Sequence, residues 1–369
     1  MATWYVAPNG TGTNTNHWNT PAGAISGDLA TTVNNNPALA PGDEIWALGD
    51  NNVFGVGGTY NLTAPLLIHG VPLRLYGGFY GTETQLRERN ANITCNDPVN
   101  FPDYFQCPAI LTGAVGGSMI NIATGLNYCI VDGFILEAGN TAQGGGIYAV
   151  RTGVGSLGII FENLVFRNNV ANQGGGAFLY RCNALFKNVL FHDNTAGAGG
   201  GLYLGTCPQV HLVNVLFHGN SANQTGGAIY MQGTNSDNVK IVNNTIANNV
   251  AMQGGGNGIY CDSLHLEIYN SIFSPDDVVL IPAANVPIID FCLLSQNNFP
   301  TLSNIVPPPP TNPNFVNPNP PIWDFHLQPT SQCVDWGSAP YIIPYTTTDL
   351  EGNARFSGNN VDLGAFEVR

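Results

Sequence analysis

Along the middle of the chain, short apolar runs alternate with polar blocks rich in Asn and Gly. Residues 159–166 (IIFENLVF), 184–191 (ALFKNVLF) and 210–217 (VHLVNVLF) are strand-length, rich in β-branched and aromatic residues, and bounded by Asn and Gly. Blocks of eleven residues begin at Leu136, Phe166, Phe191, Phe217 and Ile246 and end at Gly146, Gly176, Gly201, Gly227 and Gly256, so their starts are 30, 25, 26 and 29 residues apart. A second short strand follows each Gly tract, as at Ile147, Ala177, Leu202 and Ala228. That period is too short for one repeat to bury an apolar face alone, so neighbours must complete one another's core. Two or three short strands per repeat, with no helical pattern between them, predict an all-β parallel β-helix, a solenoid, and exclude leucine-rich and helical repeats.

Stacked coils place equal positions of the repeat above one another at the strand spacing of about 4.8 Å. Three residues before each block stand Gly133, Asn163, Asn188, Asn214 and Asn243, and at the fourth block position stand Gly139, Asn169, Asn194, Asn220 and Asn249. Stacked amides can donate to the carbonyl of the next coil, so both files are expected as asparagine ladders satisfying polar turns inside the solenoid. The eighth position, with Gln143, Gln173, Ala198, Gln224 and Gln253, suggests a third amide file. The Gly tracts permit positive φ and close backbone approach at a tight corner. Tyr148, Phe178 and Tyr203 follow these tracts; stacking on sugars is conceivable, but alternation favours an aromatic stack in the solenoid interior.

The first coils are expected over Gly42–Leu48, Ala64–His69 and Pro72–Phe79. Residues 1–41 then form an N-terminal cap, 42–305 the coils, and 306–369 a Pro-rich extended segment with a closing module packed on the helix. An uncapped solenoid would expose core and unpaired edges. The run 306–322, dense in Pro, cannot continue a central strand.

Composition narrows the function classes. Only 9% of the 369 residues are charged, and 24 acidic residues against 10 Lys plus Arg give a net charge of −14, which opposes a phosphate-tracking surface and makes nucleic acid an unsuitable partner. No run reaches membrane-spanning length, and the opening Met1–Val6 lacks the basic and apolar regions of a signal peptide, as in a mature segment behind a start Met. The eight Cys show no metal-ligand spacing, so no cofactor or metal is expected, and Ca²⁺ has no specific support. Cys95 and Cys107 flank an irregular loop and read as a disulfide; Cys182 and Cys207 fall on adjoining coils as a disulfide or a buried thiol pair. A bond between Cys292 and Cys333 would fasten the closing module to the coils.

The tracts Gly226–Ile229 and Gly199–Leu202, alternating with Phe-x-x-Asn, resemble the polymorphic outer-membrane-protein repeat of bacterial surface proteins. Trp4–Thr11 and Gly77–Thr84 resemble the opening of secreted bacterial right-handed β-helix proteins. The segments Asn312–Val316, Asp324–Pro329, Ser331–Gly337, Thr348–Arg355 and Val361–Glu367 resemble the closing module of choice-of-anchor Q proteins. The resemblance spans nearly the whole chain. It implies a right-handed coil and an extracellular or cell-surface location, and it assigns no reaction. No sorting or anchoring segment follows the last motif, a departure from the usual architecture that leads us to expect either a truncated chain or a released protein.

The second block position holds Glu137, Arg167, His192, His218 and Ala247, which a β-helix places in one file with Asn168 and Asp193 alongside. An acid, a guanidinium and two imidazoles could act as general acid or base and bind a sugar carboxylate or hydroxyls; the plainer reading is a solvated polar column. Arg151, Arg167, Arg181 and Lys187 concentrate on adjacent repeats, as a uronate lyase would need, whereas paired aspartates suited to galacturonan hydrolysis are missing from the coils. Asp276 and Asp277 read as a turn or an incidental cation contact. The leading expectation is a non-catalytic extracellular adhesion, scaffold or filament element that contacts glycans or other copies of itself; the alternative is a polysaccharide lyase or glycoside hydrolase using the polar file.

Overall fold

A computed structural model describes residues 3–7, 29–34, 39–48, 58–69, 71–79, 109–113, 117–123, 128–151, 157–234, 237–262, 265–281, 287–295, 304–305, 312–342 and 346–368. Its backbone is a parallel β-helix. The long sheet runs through Thr3–Val6, Glu44–Leu48, Arg74–Phe79, Tyr128–Glu137, Leu157–Arg167, Cys182–His192, Gln209–His218, Asn238–Val242 and His265–Tyr269 to Ile288–Asp290. A second sheet stacks the strands after the Gly tracts, from Leu66–Ile68 to Val278–Ile281, and a third stacks Asn140–Gln143, Val170–Gln173, Thr195–Ala198, Ser221–Ala222 and Val250–Ala251. Thr3–Val6 lies parallel to Glu44–Leu48 and so continues the long sheet, while the helix Leu29–Asn34 packs on Leu66–Ile68.

Register is kept from coil to coil. Arg167 pairs with Glu137 and His192, and His192 with His218, so the positions aligned by sequence coincide in space. The lumen is filled by aliphatic and Phe files: Phe166, Phe191 and Phe217 stack face to face at 4.4 and 4.7 Å, with interplanar angles of 4° and 2°. The Gly corner makes room for those rings. A Cβ on Gly176 would stand 2.7 Å from a Phe191 ring carbon, and one on Gly174, at φ +63°, would meet its own corner's backbone at 2.1 Å.

That filling explains a correction. Because Phe rings from the long sheet already reach the corner, the second sheet turns Ile147, Ala149, Leu179 and Leu202 inward, and Tyr148, Phe178, Tyr203, Tyr230 and Tyr260 outward. The aromatic stack expected in the interior forms on the outside instead, with ring centroids 4.8–5.6 Å apart. Its ring faces are spent on one another, and Phe178 and Tyr203 are buried in a separate apolar cluster.

The inner asparagine ladder matches expectation. Asn169 Nδ2 donates to Asn194 Oδ1 (3.0 Å), Asn194 to Asn220 (2.9 Å) and Asn220 to Asn249 (2.9 Å), while each amide also donates to a backbone carbonyl of the long sheet. The other file differs. Asn163, Asn188, Asn214 and Asn243 all adopt left-handed φ between 50° and 55°, and Gly133 takes φ 81° at the same position. This conformation bends each long strand, leaving residues on both sides of the bend, such as Phe161 and Leu164, facing inward. The amides therefore project from the outer face, still laddered (Asn188 to Asn163, 3.3 Å; Asn214 to Asn188, 3.0 Å). Gln143 donates to Gln173 at 2.7 Å, and Ala198 interrupts that third file.

The bend divides the outer face of the long sheet. Beyond it, Ile135, Val165, Leu190, Leu216 and Ile272 form an apolar stripe covered by Phe315, Phe325, Leu327, Leu350, Leu363 and Phe366 of the C-terminal segment. Phe315–Asn317 and Asp324–Leu327 pair antiparallel in that segment. The stretches Thr348–Arg355 and Val361–Glu367 meet at Arg355, which is fully buried: Nη2 donates to Asn214 Oδ1 (2.7 Å) and Ala365 O (2.8 Å), and Nη1 lies 3.4 Å from Glu367 Oε2. Asp349 holds the turn ahead of it by accepting from the amides of Glu351, Asn353 and Glu367.

The cysteines decide between two alternatives at Cys182 and Cys207, in favour of buried thiols, and correct the expected bond between Cys292 and Cys333. Cys182 and Cys207 are free thiols in the lumen, donating to the carbonyls of Tyr180 (3.3 Å) and Gly205 (3.5 Å). Cys292 and Cys333 are also free: Cys292 belongs to the lumen and Cys333 to the cluster on the outer face, so the sheet separates them. Burial raises the Cys207, Cys292 and Cys333 thiols to about 12, which keeps them protonated. Cys95 and Cys107 lie outside the described residues, as do residues 306–311 of the Pro-rich run.

Candidate functional site

Strand register brings Glu137, Arg167, His192 and His218 into one file on the covered side of the bend, with Ala247 next. Their chemistry is directed at one another. Arg167 Nε donates to Glu137 Oε2 at 2.7 Å, and the His192 and His218 rings stack at 5.2 Å. His192 Nδ1 sits 2.9 Å from Asp193 Oδ2, and Asp193, like Asn168, adopts left-handed φ at the following position. Trp323 and Phe325 cover His218 with ring centroids at 5.4 and 5.1 Å, leaving it 0% exposed. Burial, then the neighbouring His192, holds the His218 pKa well below the ordinary 6.5, so the ring is neutral. Of the basic residues noted on adjacent repeats, Lys187 pairs with Glu162 at 2.8 Å and Arg181 lies over the Tyr180 ring at 5.3 Å.

On the open side of the bend the same sheet carries a groove that sequence reasoning did not single out. It has a volume of about 350 Å³ and is lined by Asn183, Pro208, Gln209, His211, Asn238, Lys240 and Glu267. Parallel pairing builds it: His211, Lys240 and Glu267 occupy one outward file on three successive strands, and Gln209, Asn238 and His265 the file beside it. Glu267 is the hub, accepting from Lys240 (2.9 Å), Asn238 (3.2 Å) and the Tyr269 hydroxyl (3.2 Å), with His265 Nε2 at 3.4 Å. Burial pushes its pKa up, but the hydrogen bonds from Lys240 and Asn238 outweigh that and bring it below the usual range. His211 is shifted down, first by burial and then by Lys240, and so carries no charge near neutral pH. Tyr341 of the C-terminal segment stacks on Tyr269 at 3.9 Å, next to the bend at Asn270. The signal in the sequence was present but dilute: His211, Lys240 and Glu267 share a column only once the register of the less regular later coils is known.

The Asp276 carboxylate terminates the inner ladder, accepting from Asn249 Nδ2 at 2.5 Å and from its backbone amide at 3.0 Å. Asp277 organises the adjoining corner by accepting from Gly256 and Asn257 amides. Among the described residues, no group of three or more His, Cys, Asp or Glu is placed to hold a metal ion.

Residues 120–281 match a family described as the right handed beta helix region, and that stretch covers the most regular coils. No curated protein matches the chain. Fold and family match together define a right-handed parallel β-helix protein. No helix among the described residues is long and apolar enough to cross a membrane.

Proposed function

We propose that the protein is a non-catalytic β-helical scaffold working outside the cell or at its surface, with glycan contact along its open flank. The observation that carries this reading is the use of the Glu137, Arg167, His192 and His218 file as structural material: one ion pair, one stacked pair, and a lid of Trp323 and Phe325. A general acid or base must reach the proton it transfers, and a sealed, uncharged His218 has no such reach. Low charge and amide-lined surfaces support contact with neutral polymers or lateral packing over strongly charged ligands. Secretion is supported by the sequence resemblance alone.

The test is incubation of the full chain with neutral and acidic polysaccharides, following sedimentation with insoluble polymer, unsaturated products in the ultraviolet and new reducing ends. Binding without cleavage is the expected result. Cleavage that disappears in both Arg167→Ala and His192→Ala would establish the file as a lyase or hydrolase site and overturn the scaffold reading.

A further inference from the structure

We propose that the groove between Asn183 and Glu267 binds a neutral oligosaccharide of two to three sugar units, lying along the solenoid axis. The inference rests on the glycan-contact reading of the open flank and assigns it a place and a ligand class. Three observations carry it.

The groove has no net charge to offer. Lys240 and Glu267 are paired at 2.9 Å, and Glu267 is further held by Asn238 and Tyr269, so an anionic ligand would have to displace a carboxylate already bonded to Lys240, the one ammonium lining the groove among the described residues. His211 is neutral, and its Nε2 lies 3.4 Å from Gln209 Nε2, two groups that can be turned toward an occupant.

The groove also leaves two of its own acceptors unpaired. Asn183 Oδ1 and Asn238 Oδ1 are buried and have no hydrogen-bond partner among the described residues. A buried acceptor left unpaired costs about 1–3 kcal/mol, and both side chains line the groove. What they require is a donor. Carboxylates and phosphates are acceptors only, whereas each sugar hydroxyl both donates and accepts.

The spacing sets the length. Gln209 pairs with Asn238, and Ala184, which follows Asn183, pairs with Val210, which follows Gln209. Asn183 and Asn238 are therefore two strand spacings apart in one file, roughly 9–10 Å at about 4.8 Å per strand, a span that two linked pyranose rings cover. The volume of about 350 Å³ is at the small end of ligand clefts.

Titration calorimetry of the full chain with cellotriose, mannotriose, maltotriose and trigalacturonate tests the proposal, using wild type, Asn183→Leu and Asn238→Leu. At least one neutral trisaccharide should bind, with affinity reduced tenfold or more in each variant, and trigalacturonate should bind more weakly than that sugar. Thermal unfolding separates site from scaffold: Asn183→Leu removes an unpaired buried oxygen, so its midpoint should equal or exceed that of wild type while binding is lost. Neutral sugar binding that neither substitution alters would overturn the site and leave the glycan-contact reading standing. Preference for trigalacturonate would overturn the ligand class, and no binding to any of the four would overturn both site and ligand class.

Discussion

Replacing Asn220 with alanine tests the inner ladder most directly. Its Nδ2 donates to Asn249 Oδ1 and Phe191 O, both at 2.9 Å, and its Oδ1 accepts from Asn194 Nδ2 at 2.9 Å and from the Asn194 backbone amide at 3.2 Å. The side chain is 0% exposed. Alanine would strand the Asn194 backbone amide and take one bond from the Phe191 carbonyl, which keeps its ladder partner, and one from each flanking side chain. A backbone amide fixed in the coil cannot turn away, so one stranded group at about 1–3 kcal/mol, plus the weakened neighbours, gives a loss of about 2–4 kcal/mol. That is at the severe end for single substitutions and a large part of ordinary domain stability. Urea unfolding followed by far-ultraviolet circular dichroism measures it, with limited proteolysis to detect local opening of the coils. Asn220→Asp should be no better, since it removes the donors and buries a charge. A loss below about 1 kcal/mol for alanine, with no new proteolytic site, would show that the ladder contributes little and would refute the reasoning.

Further expectations concern the Asp276 end of the ladder, the covered His218 and the C-terminal segment. Burial raises the Asp276 pKa to about 7 from the ordinary 3.8, against the hydrogen bonds from Asn249. Its folded state holds the proton more tightly, so this stabilisation is full below about pH 3.8 and lost as pH rises through 7; Asp276→Asn should flatten that part of the stability profile, which unfolding at pH 4, 6 and 8 would reveal. His218 has the opposite sign: with its folded pKa held well below 6.5, stability is full above 6.5 and falls as pH drops, and His218→Phe should protect the Trp323 contact against acid, as read by tryptophan fluorescence. Arg355→Ala should cost about 2–4 kcal/mol: it removes the donor to the buried Asn214 Oδ1 (2.7 Å) and one bond from Ala365 O (2.8 Å), while Glu367, its pKa raised to about 8 by burial, is largely protonated near neutral pH and leaves no stranded charge. The measurement is urea unfolding at neutral pH, and a loss below about 1 kcal/mol would refute this account of the contact.

The fold was legible because the repeat is nearly ungapped where it matters. Phe166, Phe191 and Phe217 needed no structure to be aligned, and their register then placed Asn169, Asn194 and Asn220 on one ladder and Glu137, Arg167, His192 and His218 in one file. Facing direction was harder. Alternation fixes parity within a strand, but the left-handed bend at Asn163 and its counterparts resets it, so the outer ladder was expected inside. The aromatic file after the Gly tracts was misplaced because its neighbours in sequence do not reveal that the Phe stack already occupies the corner. The groove escaped notice for another reason: it depends on coils whose blocks diverge, and on amide oxygens whose lack of partners is a property of packing. Asp276 looked like a turn because its partner, Asn249, lies 27 residues upstream.

The C-terminal segment meets the outer asparagines at successive levels: Thr348 and Arg355 at Asn214, Asp362 at Asn243, and Ser338 at Asn270. A strap fastened at three heights works as a gauge. Duplicating or deleting one coil among these levels would leave the inner stacking intact, since every rung is interchangeable, yet would throw the fastenings out of step. Variation in the number of coils should therefore be tolerated before Asn214, and between Asn214 and Asn270 only with a matching change in the strap.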